Sequence, residues 1–155
     1  MIANETRVER GKIVANVNVT EEYQISFEFK AISAKKRYNT ICSIGWMWSF
    51  YMSETKGLRF KKYNSKRESV HFYNSNKAYK LNEWVQVLVS QIKKPDGDYN
   101  ITMMVNGELQ HTILTNDVQP YVNRKVIAAY DYVDNWQDIL SGFVRKFSLY
   151  VKPTV

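Results

Sequence analysis

The nine residues RFKKYNSKR, 59–67, bring Arg59, Lys61, Lys62, Lys66 and Arg67 together with Tyr63 among them. Guanidinium and ammonium groups crowded onto one hairpin can grip sulfate, carboxylate or phosphate, and arginine is preferred where a flat anion is held by two parallel bonds. Alternate residues of a strand share a face, so Arg59 and Lys61 are expected side by side. Trp46, Trp48 and Tyr51 in "TICSIGWMWSFYM", and Trp136 further on, are candidate aromatic platforms, with Asn135, Asp134 and Arg59 as polar partners. Such a set suits a ligand with an apolar face and a rim of hydroxyls. The opposing reading is that the rings fill a core, and Trp84 is expected to do so.

Carboxylates cluster once. Asp131, Asp134 and Asp138 stand beside Asn135 in "DYVDNWQD", with Asp117 earlier in "TNDV". Calcium takes about six to eight oxygen ligands, so this loop is the candidate metal site, although its spacing is not that of an EF-hand. A polar, capping loop is the alternative. Acid–base catalysis finds little: Glu28 is alone in "FEFK", and the acids of "DGD" sit on a turn. His71 and His111 fall on separate predicted strands, and Cys42 reads as a small core residue rather than a nucleophile. No enzyme is expected.

The chain that must position these groups has 155 residues, about one domain's worth, with 45% hydrophobic and 14% aromatic residues, enough to fold by itself. Residues 1–10 read as a partly ordered tail and 11–155 as a single domain. Its net charge of +7 is spread in pairs and triplets, from Lys35-Lys36-Arg37 to Arg145-Lys146. That balance favours acidic partners such as sulfated glycans or acidic proteins, against the plainer reading of solvated strand faces. Nucleic acid is disfavoured, since no helix-turn-helix, zinc-finger or RNA-recognition motif is present. A single cysteine rules out an intrachain disulfide. Sequons at Asn4, Asn18 and Asn100 point outward from the cell, although "MIANETRVERGK" has no apolar leader core and no run is long enough for a membrane span.

Period two dominates. In "YQISFEFKA" Tyr23, Ile25, Phe27, Phe29 and Ala31 alternate with polar residues, the pattern of a strand with one buried face. "TICSIGWMWSFYM" reads as two adjoining strands bent at Gly45. "GLRFKKY" and "ESVHFYN" form a hairpin, and "WVQVLVSQI", "YNITMMV" and "ELQHTIL" follow. Asn106-Gly107 suits a type I′ turn because both residues tolerate positive φ. "RKVIAAY", a loop "DYVDNWQDILSG" with room for one helical turn, and "FVRKFSLYV" complete the chain. About ten short strands and no amphipathic helix predict an all-β antiparallel β-sandwich.

The second half, "LNEWVQVLVSQIKKPDGDYNITMMVNGELQHTIL", "KVIAAYDYVDNW" and "GFVRKFSLYV", resembles laminin G-like and concanavalin A-like lectin jelly rolls. The likeness is carried by Leu81, Trp84, Val85, Val87, Val105, Asn106, Gly107, Val126, Asp131, Gly142 and Phe143, and is nearest to modules of extracellular proteins of marine invertebrates. It implies two stacked sheets, rim loops that bind glycans, sometimes with calcium, and an extracellular or cell-surface setting. The paired carboxylates of the related glycanases have no counterpart here. Three functions follow as expectations: a glycan-binding adhesion module, a protein-interaction or self-associating sandwich without sugar binding, and a degenerate glycanase.

Overall fold

The computed structural model describes residues 2–3, 13–45, 47–64, 66, 68–75, 77–115, 121–128 and 138–152. Among them thirteen strands run in chain order: β1 Ile2–Ala3, β2 Ile13–Val19, β3 Tyr23–Ser33, β4 Tyr38–Ile44, β5 Trp48–Ser53, β6 Leu58–Tyr63, β7 Ser69–Asn74, β8 Trp84–Lys93, β9 Tyr99–Val105, β10 Glu108–Thr115, β11 Tyr121–Ala128, β12 Asp138–Ile139 and β13 Ser141–Val151. One sheet is ordered β1-β13-β3-β8-β9-β10. The other is ordered β2-β11-β4-β5-β6-β7, with the two-residue β12 parallel to β4. All other pairings are antiparallel, and the architecture is an all-β jelly-roll sandwich. No helix among the described residues is long and apolar enough to cross a membrane.

The alternation predicted for Tyr23–Ala31 is the observed burial pattern of β3. Ile25, Phe27 and Phe29 face Val85, Val87 and Val89 of β8 in register. Across the sandwich, Phe27 meets Phe50 of β5 edge to face at 5.0 Å, and Phe50 meets Phe60 of β6 at 5.0 Å. Ring pairs of this kind contribute about 0.5–1.5 kcal/mol each beyond the apolar area they bury. A polar tie crosses the same interior. The Trp48 indole N–H donates to the Tyr23 hydroxyl at 2.8 Å, that hydroxyl donates to Gln91 Oε1, and the Gln91 amide donates to the Glu21 carbonyl at 2.8 Å.

Local chemistry sets the hairpins. Asn106 and Gly107 adopt φ of 51° and 78°, as the turn expectation required, and Asn106 also accepts the Gln86 N–H through its side chain, tying the β9–β10 hairpin to β8. Gly142 is needed for a different reason. It pairs with Ala31 in the ladder, and a Cβ there would overlap the Lys30 carbonyl oxygen.

Trp84, expected in the core, is not there. It is out of phase with Val85, Val87 and Val89, so its ring stands half-buried on the outer side of the sheet. The Arg145 guanidinium lies 3.6 Å from its centroid and the Lys30 ammonium 5.1 Å. Arg145 also donates to Glu28 at 3.0 Å, and Lys146 reaches the other carboxylate oxygen at 3.3 Å. Burial opposes ionisation of Glu28. The bonds from Arg145 and Lys146 outweigh it and hold the carboxyl below its ordinary value of 4.5.

Two outcomes follow. Gly142→Ala should lower unfolding stability by about 1–3 kcal/mol in denaturant titration, because the atom it strikes is ladder backbone and cannot swing aside. A depressed carboxyl pKa contributes stability that is complete above 4.5 and fades as pH falls through the folded value. Thermal melts of the wild type should therefore lose stability on acidification below that point faster than melts of Glu28→Gln.

Candidate functional site

Period two gives β5 two jobs. Trp48, Phe50 and Met52 point into the core, so Ser49, Tyr51 and Ser53 take the opposite face of the sheet, where Ser49 and Tyr51 are themselves buried at 0% and 2% exposure. The neighbouring strands place partners beside them: Thr40, Tyr51 and Arg59 form one cross-strand row, and Ser43, Ser49 and Lys61 the next. Tyr38 stands opposite Ser53 at the start of β4.

On this outer face cations and rings alternate. Arg37 lies over the Tyr38 ring at 5.7 Å and Arg59 over the same ring at 4.9 Å. Lys61 lies 5.5 Å from the Tyr51 ring and 5.7 Å from that of Tyr63. Tyr38 and Tyr51 themselves meet edge to face at 6.2 Å. Between them Tyr38, Tyr51, Arg59 and Lys61 line an open hollow of roughly 150 Å³. Much of that space is open solvent, and the enclosed part is about 10 Å³, room for one water-sized group, so the hollow admits only the tip of a ligand lying across the surface.

Buried hydrogen bonds hold these groups in place. The Asn39 amide donates to the carbonyls of Lys36 and Met52 at 2.9 and 3.0 Å, pinning the loop that carries Arg37 against β5. The Glu54 N–H donates to the Arg37 carbonyl. At the β5–β6 turn, Lys56 takes φ 66°, and Ser53 and Gly57 close the loop through a 2.8 Å backbone bond, which sets Arg59 opposite Tyr51. Thr40, fully buried in the same row, has a hydroxyl with no hydrogen-bond partner among the described residues.

Arg59 and Lys61 share a face, as their spacing predicted, and the pairing of β5 with β6 adds Tyr51 beside them. Lys62 and Trp48 do not join them. Lys62 is in phase with Leu58 and Phe60 and is 1% exposed, so it belongs to the interior rather than to a basic rim. It sits opposite Trp48, which is 0% exposed, stacks on Phe50 at 5.8 Å and is no sugar platform. Lys66 lies in the β6–β7 turn, where its N–H donates to the Asn64 side chain. Arg67, Trp46, Trp136, Asn135, Asp131, Asp134 and Asp117 lie outside the described residues.

Asp138 enters the structure through its backbone, as the first residue of β12 beside Asn39. Among the described residues no group of three or more His, Cys, Asp or Glu stands together, so the calcium expectation gains no support from them. Cys42 is a core residue, and burial pushes its thiol pKa well above 9.0, which keeps it protonated and unreactive. The sequence reading missed Tyr38 and Arg37 as members of the site. The Lys35-Lys36-Arg37 triplet was a signal, but only the pairing of β4 with β5 brings it to Tyr51.

No family model matches the chain, and no curated protein matches it. Solved structures do. The CBM40 module of the Ruminococcus gnavus IT-sialidase, bound to α2,3-sialyllactose, superposes with a TM-score of 0.65 at 12% identity over 95% of this chain and 92% of that one. Domain 4 of AbnA, an extracellular arabinanase from Geobacillus stearothermophilus in complex with arabinotriose, gives 0.64 at 12% identity over 94% and 68%. A chain of botulinum neurotoxin type C, whose cell entry depends on interaction with two ganglioside molecules, gives 0.60 at 15% identity over 98% and 44%. At these identities the likeness establishes the fold, and this chain shares the jelly-roll β-sandwich of carbohydrate-binding modules.

Proposed function

We propose that this chain is a non-enzymatic recognition module, acting outside the cell or at its surface, that binds glycans through the outer face of β4, β5 and β6 and prefers those carrying a carboxylate or sulfate. The observation that carries the reading is the ladder Arg37, Tyr38, Arg59, Tyr51, Lys61, Tyr63. A neutral sugar stacks on an uncovered ring face, whereas the Tyr38 ring is already overlain by two guanidiniums. A guanidinium is the group suited to a flat anion gripped by two bonds. Similar structures with a sialylated or a neutral oligosaccharide bound, together with the resemblance to laminin G-like modules, favour a glycan over other acidic ligands.

The test is a panel of neutral, carboxylated and sulfated glycans, probed with calcium or with EDTA at low and moderate salt. Binding should be confined to the acidic members, weaken as salt screens the contacts, and be indifferent to EDTA. Arg59→Gln and Lys61→Gln should each weaken it by about 10-fold or more, the value of a charge-assisted hydrogen bond. Arg59→Lys should recover little, since an ammonium cannot form the paired contact. Lys66→Gln should change little. Salt-independent binding to neutral sugars that survives Arg59→Gln would overturn the anion preference, and binding to no glycan would overturn the whole reading.

A further inference from the structure

On the sheet opposite the binding face, the outer surfaces of β8, β9 and β10 form a quadrant whose only formal charges, Lys93 and Glu108, stand at strand ends. Residues 84–92, 99–105 and 109–115 contain no Asp, Glu, Lys or Arg, in a chain that has 22 cations and 15 anions. Of the cations on this sheet's described strands, Lys30, Arg145 and Lys146 lie on β3 and β13, and Lys93 closes β8 at one end. Apolar side chains collect here instead. Leu88, Met104 and Leu109 form one cross-strand row, and Ile92 and Leu114 flank Asn100 in another. Leu109 is 62% exposed, Leu114 59% and Ile92 49%.

The quadrant ends at β10, which closes the sheet order and pairs only with β9 among the described strands. Edge strands of soluble proteins are usually protected by lysine, proline or brevity. β10 is eight residues long, and apart from the register shift between Leu109 and His111 it has none of these protections, so its regular stretch runs from His111 to Thr115. Any partner must supply a strand and tolerate an uncharged, apolar border. A second copy does both, because pairing β10 with β10 joins two such quadrants while keeping the cationic regions of two +7 chains apart.

We infer that this protein forms a two-fold dimer by antiparallel pairing of β10 with its counterpart, fusing the two outer sheets into one. The two-fold axis of such a pair is perpendicular to the sheet, so the sheets keep the same side up. Both β4–β5–β6 faces then look in the same direction, and the dimer is bivalent toward a surface. The bivalence rests on the glycan reading above; the dimer does not.

Sedimentation velocity over a concentration series decides the dimer without any glycan. The wild type should move to twice the 18.3 kDa chain mass, and amide exchange across Leu109–Thr115 should slow as concentration rises. Leu109→Lys with Leu114→Lys changes exposed side chains only, and should yield a folded monomer with fast exchange in that strand; Thr112→Lys provides an independent variant. A wild type that stays monomeric with concentration-independent exchange, or a dimer untouched by all three substitutions, would overturn the inference. On densely coated acidic glycan, the wild type should outbind the monomeric variant by about 100-fold or more, with equal affinity for a soluble monovalent sugar. Equal binding on the dense surface would overturn the shared orientation.

Discussion

The contact between Phe27 and Phe50, reinforced by the hydrogen bond from Trp48 to Tyr23, is what locks the two sheets together. Two sheets packed through side chains alone can slide. A buried indole N–H cannot slide away from its acceptor without losing a bond that water does not replace, at a cost of about 1–3 kcal/mol. Tyr23 meets the same requirement from its own side by donating to Gln91, so the polar atoms here specify alignment while the rings supply the apolar burial.

Because β5 supplies both Trp48 and Phe50, that lock also fixes which side chains β5 turns to the other face of its sheet. Tyr51 lies between the two inward residues Phe50 and Met52 and has no freedom to turn inward. The hairpin register then brings Arg59 to Tyr51 and Lys61 to Ser49, and Asn39 brings the Arg37 loop to Tyr38. The hollow is thus assembled by backbone pairing before any ligand arrives. Preorganised side chains lose less conformational entropy on binding, which matters most for long cationic ones.

The two outer faces treat charge differently. On β3 and β13, Arg145 and Lys146 are engaged with Glu28, and Arg145 also stacks on Trp84, an arrangement that buttresses the sheet. On β4 to β6, the described residues lining the hollow are two cations and two tyrosines. The same pairing of cation with aromatic therefore serves packing on one side and suits recognition on the other.

Local rules were enough for much of this. Alternation in Tyr23–Ala31, the positive φ demanded at Asn106-Gly107 and the polar turn between β6 and β7 each depend on neighbours a few residues away, and each appears in the structure. Phase along a single strand also held the correct answers for Trp84, out of step with its valines, and for Lys62, in step with Phe60; residue type overrode it in the sequence reading. The amino-acid sequence by itself determined the β class, the hairpins and the shared face of Arg59 and Lys61, because a period of two is set by backbone geometry. Tertiary structure alone decided which face is covered and which strands become neighbours, since those depend on pairings between distant segments. That is why Tyr38 and Arg37 joined the site and Trp48 left it.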